Sequence, residues 1–111
     1  MGNTWVTDMR HFLDEARAIP DDLPGPARSL ALFLGAIVAW VTSGRSATEP
    51  RTNVPCRRNP KRRRCAGEIL AAFEADGSTI SWQCPVCKDN GVTRGWEGTP
   101  WDRRPAAAEG R

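Results

Sequence analysis

The stretch CRRNPKRRRC (56–65), followed after a further 18 residues by CPVC (84–87), decides the fold. A Cys-Pro-x-Cys pair places two thiolates on one tight turn, with backbone N–H groups directed at the sulfurs. A second pair brought alongside by a β-hairpin completes a tetrahedral four-sulfur metal site, with Cys56, Cys65, Cys84 and Cys87 as its ligands. The residues between supply such a hairpin. GEILAAFE (67–74) and STISWQ (78–83) have strand composition, and Ala75, Asp76 and Gly77 between them give a turn signal. Ile69 and Phe73 fall on one strand face, as do Ile80 and Trp82. Beyond the second pair, KDNG (88–91) turns the chain into a third strand, Val92 to Trp96.

Two cysteine turns joined by a three-stranded antiparallel sheet resemble a zinc ribbon. The resemblance covers about 45 of the 111 residues, in a group that hosts many unrelated functions. The eight-residue first loop departs from the short C-x2-C turn that a simple ribbon carries at both ends. The chain is also similar to a set of small bacterial proteins in DLPGPARSLALFLG (22–35), CRRNPKRRRC (56–65) and CPVCKDNGVTRGWEGTPWD (84–102). That likeness implies a bacterial cytoplasmic protein and supplies no activity.

Upstream of the cysteines the sequence predicts an antiparallel helical hairpin. Met9, Phe12, Leu13, Ala16 and Ile19 recur at three- and four-residue spacing, after Asn3, Thr4 or Thr7 as a cap, and Pro20 ends the pattern. A second helix is expected from Pro26 to about Ser43, with Gly44 as its stop. Its segment LALFLGAIVAWV (30–41) is apolar on every side. At about 18 Å it is too short for the roughly 30 Å hydrocarbon core of a membrane, and an all-round apolar helix needs all-round cover. Two copies pairing through residues 30–41 would provide that cover, as would the ribbon packing over the remaining face.

The expected architecture is therefore α+β: a helical hairpin over 1–44, a linker over 45–55, a zinc ribbon over 56–102 and a flexible tail over 103–111. No internal repeat is present.

Composition narrows the function classes. The chain has 40% hydrophobic and 26% charged residues, an ordinary globular balance. A chain this short cannot bury a large core, which disfavours a multidomain enzyme with a deep cofactor fold. The start, MGNTWVTDMRHF, lacks the basic and apolar regions of a secretory signal, so a cytoplasmic protein is expected. In that compartment four cysteines hold a metal more often than they form disulfides. One structural Zn2+ is the expectation. A catalytic zinc keeps an open coordination position and a nearby proton carrier, whereas four cysteines close this site and His11, the only histidine, lies far upstream.

The net charge of +3 is unevenly distributed: residues 1–49 carry −2, residues 50–66 carry +7 and residues 67–111 carry −2. Six of the eight residues between Cys56 and Cys65 are basic: Arg57, Arg58, Lys61, Arg62, Arg63 and Arg64. Four thiolates around Zn2+ leave a charge of −2, which Arg57, Arg58, Arg64 and Lys88 could offset. That accounts for two or three cations rather than six. Guanidinium groups clustered on a turn suit phosphate oxygens, so the loop is a candidate nucleic-acid contact, with DNA and RNA equally suited. Trp82, Trp96 and Trp101 either stack on unpaired bases or build the core of a tiny sheet. The sequence thus points to a non-enzymatic zinc-ribbon protein that binds nucleic acid through its Arg-rich loop. The alternative is an adaptor that docks an acidic protein partner around a purely structural zinc.

Overall fold

The computed structural model describes residues 4–16, 18–44, 51–56 and 65–104. Among them, one α-helix lies against a five-stranded mixed sheet. The strands are β1 (Thr4–Asp8), β2 (Arg51–Pro55), β3 (Glu68–Phe73), β4 (Ile80–Gln83) and β5 (Asn90–Arg94), in the order β1-β5-β4-β3-β2. β2 through β5 pair antiparallel, while β1 runs parallel to β5 with Thr4 opposite Asn90 and Asp8 opposite Arg94.

This corrects the expected fold. The helical hairpin over 1–44 does not form, and the three antiparallel strands of the expected ribbon are the centre of a wider sheet. Residues 4–8 (TWVTD) are rich in β-branched and aromatic side chains, which suit a pleated surface better than a helix. Met9 and Phe12, which set the helical spacing, are buried in a 3-10 turn over Met9–Phe12 instead. Asp8 caps that turn by accepting the Arg10 N–H at 2.9 Å. Asp14 then accepts the N–H groups of Ala16 and Ala18, closing a loop before Pro20. Within the stretch expected to be a linker, residues 51–55 form β2, where the buried Thr52 hydroxyl donates to the Ile69 carbonyl at 2.9 Å.

The helix α1 (Gly25–Thr42) occupies the span expected of a second helix, with Pro26 in its first turn and Gly44 at φ +92° just beyond its end. Arg28 ties the preceding loop to the helix by donating to the carbonyls of Pro20 and Asp21. Ala31, Leu34, Gly35, Val38, Val41 and Thr42 recur every three or four residues and are buried, as are Phe33 and Ile37. They face Ile69, Ala71, Ile80 and Trp82 of the sheet, together with Met9 and Phe12. At 18 residues and mean hydropathy 1.4, α1 meets the length and composition of a membrane span, which the 30–41 run alone does not. Its apolar face is taken up by the sheet, leaving Leu32 and Ala36 on the solvent side.

After β5 the chain wraps back over the helix. The Trp96 indole donates to the Ser78 carbonyl at 2.6 Å, Trp101 lies on α1, and the Arg103 N–H reaches the Thr42 hydroxyl at 2.8 Å. The Arg104 guanidinium stands 4.8 Å from the Trp96 ring and pairs with Asp102. Of the stretch expected to be a tail, residues 103 and 104 are exposed and are tied to Thr42 and Asp102; residues 105–111 lie outside the described residues.

Candidate metal centre

The antiparallel order of β2 to β5 decides where the cysteines fall. Cys56 follows β2, Cys65 precedes β3, Cys84 follows β4 and Cys87 precedes β5, so all four gather at one end of the sheet. Backbone hydrogen bonds hold both turns. The Cys56 N–H donates to the Gly67 carbonyl at 2.9 Å, the Cys84 N–H to the Asp89 carbonyl at 2.8 Å, and the Lys88 N–H to the Cys84 carbonyl at 2.9 Å. Lys88 takes φ +69° as the chain leaves the second turn, a left-handed conformation uncommon outside glycine.

The four ligand atoms lie within 4.8 Å of one another. The sulfurs of Cys56 and Cys87 are 3.7 Å apart, and those of Cys65 and Cys84 are 3.6 Å apart. A bonded disulfide requires about 2.0 Å. A tetrahedron with metal–sulfur distances of about 2.3 Å has edges of about 3.8 Å. The donor set and its spacing thus fit a four-coordinate metal ion held by Cys56, Cys65, Cys84 and Cys87.

The surroundings favour a thiolate at Cys84 and oppose one at Cys87. The Gly67 N–H points at the Cys65 sulfur at 3.4 Å, and the Cys87 N–H at the Cys84 sulfur at 3.5 Å. Burial opposes ionisation of Cys84, but the N–H groups of Cys87 and Val86 and the neighbouring Cys65 thiol outweigh it and bring its pKa to about 7. Burial pushes Cys87 upward, against the pull of the Asp89 N–H. Three of the four cysteines are buried and Cys87 is half-buried. The arrangement can hold an ion and staple four strands at one end.

The expected ligands Cys56, Cys65, Cys84 and Cys87 are brought together as a set. The expected phosphate-binding residues Arg57, Arg58, Lys61, Arg62, Arg63 and Arg64 lie outside the described residues. The three tryptophans considered for base stacking are core residues, with Trp82 5%, Trp96 1% and Trp101 9% exposed. Gly67 is a contributor that motif spacing does not show: a Cβ there would overlap the Cys84 sulfur and come within 3.1 Å of the Val86 Cβ. Its signal in the sequence is the C-A-G run that begins at Cys65.

Comparison with known families, curated proteins and solved structures returns no match to this chain.

Proposed function

We propose that the chain is a non-enzymatic binding protein whose structural Zn2+, held by Cys56, Cys65, Cys84 and Cys87, presents the basic segment 57–64 to the phosphates of a nucleic acid. The observation that supports this is the position of Cys56 and Cys65 in one four-sulfur cluster. In the sequence, the segment with six cations therefore begins and ends at the four-sulfur cluster. Zinc suits the site because it accepts four thiolates tetrahedrally, with no preferred geometry of its own to satisfy. The net −2 of such a centre takes up only part of the charge beside it.

Binding of this kind is electrostatic and weakly selective for sequence. Its affinity falls steeply as counterions are restored with salt. Fluorescence anisotropy with mixed single- and double-stranded oligonucleotides across a salt series tests it. The zinc-loaded chain is expected to bind with a steep negative slope of log K against log salt. Replacing Lys61, Arg62 and Arg63 together by Ala should flatten that slope by about two to three. Absence of binding at low salt would overturn the reading and favour the adaptor alternative, in which the segment docks an acidic protein partner.

A further inference from the structure

A second concave site lies between β1, β4 and α1, on the helix side of the sheet. It has a volume of about 110 Å³ and is lined by Trp5, Phe33, Trp82 and Asp89, with Leu30 and Leu34 from the helix. We propose that it binds a methylated ammonium head group, a ligand class unrelated to the phosphates proposed for the basic segment.

The geometry begins with Gly91. On β5 it is paired with Trp82 of β4 on one side and Trp5 of β1 on the other. The Trp82 ring occupies the space that a side chain at Gly91 would take, since a Cβ there would lie 2.7 Å from its Cζ2. The Trp82 ring and the Trp5 backbone carbonyl thus flank a strand position without a side chain, and both tryptophans line the same cavity. Phe33 completes the aromatic lining, its ring 5.4 Å from that of Trp82 at an interplanar angle of 85°. Trp82 and Phe33 are buried, while Trp5 is 57% exposed.

Asp89 provides the charge. Its Oδ1 accepts the Trp5 indole N–H at 3.1 Å, and its backbone carbonyl accepts the Cys84 N–H at 2.8 Å. The carboxylate is therefore anchored to an aromatic wall and to the metal turn at once. Three aromatic side chains with one carboxylate attract a cation both through ring quadrupoles and through direct charge.

Size and polarity select among cations. A cavity of this volume corresponds to about four water volumes of roughly 30 Å³ each. That suits a nitrogen with three or four methyl or methylene groups, and is far below the volume of a drug-sized ligand. Guanidinium has a similar number of heavy atoms but carries five N–H donors. Among the described residues of the lining, only Thr7 besides Asp89 adds a side-chain oxygen. An ammonium whose donors are replaced by methyl groups leaves nothing unsatisfied against Leu30, Leu34 and the rings.

The test uses the zinc-loaded full chain with tetramethylammonium, choline and trimethyl-lysine as probes. The neutral choline isostere 3,3-dimethylbutanol has the same shape without the charge. NMR should show saturable upfield shifts of the N-methyl protons, as expected beside aromatic rings, and binding of the isostere at least about tenfold weaker. Trp5→Ala and Asp89→Asn should each weaken choline binding by at least about fivefold with the zinc content unchanged, and Trp5→Phe should restore only part of it, because the ring returns without the indole N–H that holds Asp89. Trimethyl-lysine binding tighter than choline would identify a modified side chain as the source of the head group, and the reverse a free small molecule. Absence of saturable shifts, or equal binding of the neutral isostere, would overturn the proposal. Because the isostere comparison uses the unaltered chain, the outcome does not depend on a variant folding.

Discussion

A single methyl group added to Gly35 would overlap the indole of Trp101. Gly35 sits in the middle of α1, where glycine costs about 1 kcal/mol relative to alanine through backbone entropy alone. Its presence there is explained by the ring, which closes the C-terminal segment onto the helix. Gly35→Ala is therefore expected to destabilise the protein, since overpacking of about 1–3 kcal/mol outweighs the gain in helix propensity. Trp101→Leu in the same chain should relieve the overlap, so the double variant should be more stable than the sum of the single changes. Urea unfolding of the four proteins measures the coupling. A stabilised Gly35→Ala would show that the two surfaces do not meet this closely.

The elements legible in the sequence are those fixed by local chemistry. Pro26 and Gly44 bracket α1, Asp76 turns β3 into β4, and the Cys-Pro-Val-Cys run marks the second metal turn, all within a few residues of the feature they define. The first strand was obscured because its partner is remote: Thr4 pairs with Asn90, and nothing near residue 4 indicates a parallel neighbour. Met9, Phe12 and Leu13 have the spacing of a helix, yet a short 3-10 turn buries Met9 and Phe12 equally well. β2 was hidden in a polar stretch: among its described side chains the buried one is the threonine Thr52, with Val54 on the same face only partly buried. The clustering of the four cysteines was readable from spacing, whereas Gly67 was not, because its contact exists only once Cys84 is brought beside it.

Gly67 tests the geometry of the metal turn without removing a ligand. A Cβ at this position must displace the Cys84 sulfur or the Val86 side chain. Gly67→Ala should retain one zinc per chain but lower the affinity by about 10- to 100-fold, the usual consequence of disturbing groups that support a ligand. Cys84→Ser should lose the site altogether. Because metal binding contributes on the order of 10 kcal/mol to the folding of small domains, the chelated protein should unfold. Competition with a chromogenic chelator, together with elemental analysis, reads both effects. Retention of ordered tryptophan signals after complete chelation would contradict the structural role of the ion.

Thr93 on β5 is fully buried and faces the helix. Its hydroxyl has no hydrogen-bond partner among the described residues. A buried donor left unmade costs about 1–3 kcal/mol, and valine has nearly the same shape without it. Thr93→Val is expected to raise stability by about 1 kcal/mol, read as a higher urea midpoint with an unchanged slope. Thr79 has a similar degree of burial, but its hydroxyl donates to Asp76 at 2.7 Å, so Thr79→Val should destabilise. Opposite signs at two buried threonines separate hydrogen-bond satisfaction from simple hydrophobicity.

Acid is expected to act on the thiolates before the carboxylates. The Arg10 guanidinium holds the Asp8 carboxyl at about 2, and the N–H groups of Ser78 and Thr79 with the Thr79 hydroxyl hold Asp76 at about 2. Burial pushes Asp102 upward, but Arg104 and the Gly98 N–H outweigh it and bring it also to about 2. Each starts from 3.8 in the unfolded chain, so the stability it contributes is complete above that value and is lost only as pH falls towards about 2. Zinc requires deprotonated sulfur, and protons displace it from cysteine well above the carboxylate range. Zinc release and loss of tryptophan order should therefore coincide at a pH above 3.8. Asp76→Asn should lower the thermal midpoint equally at about pH 7 and about pH 5, because both lie above the window in which Asp76 titrates. A destabilisation that shrinks between those two conditions would place the carboxylate in control of acid unfolding instead of the metal centre.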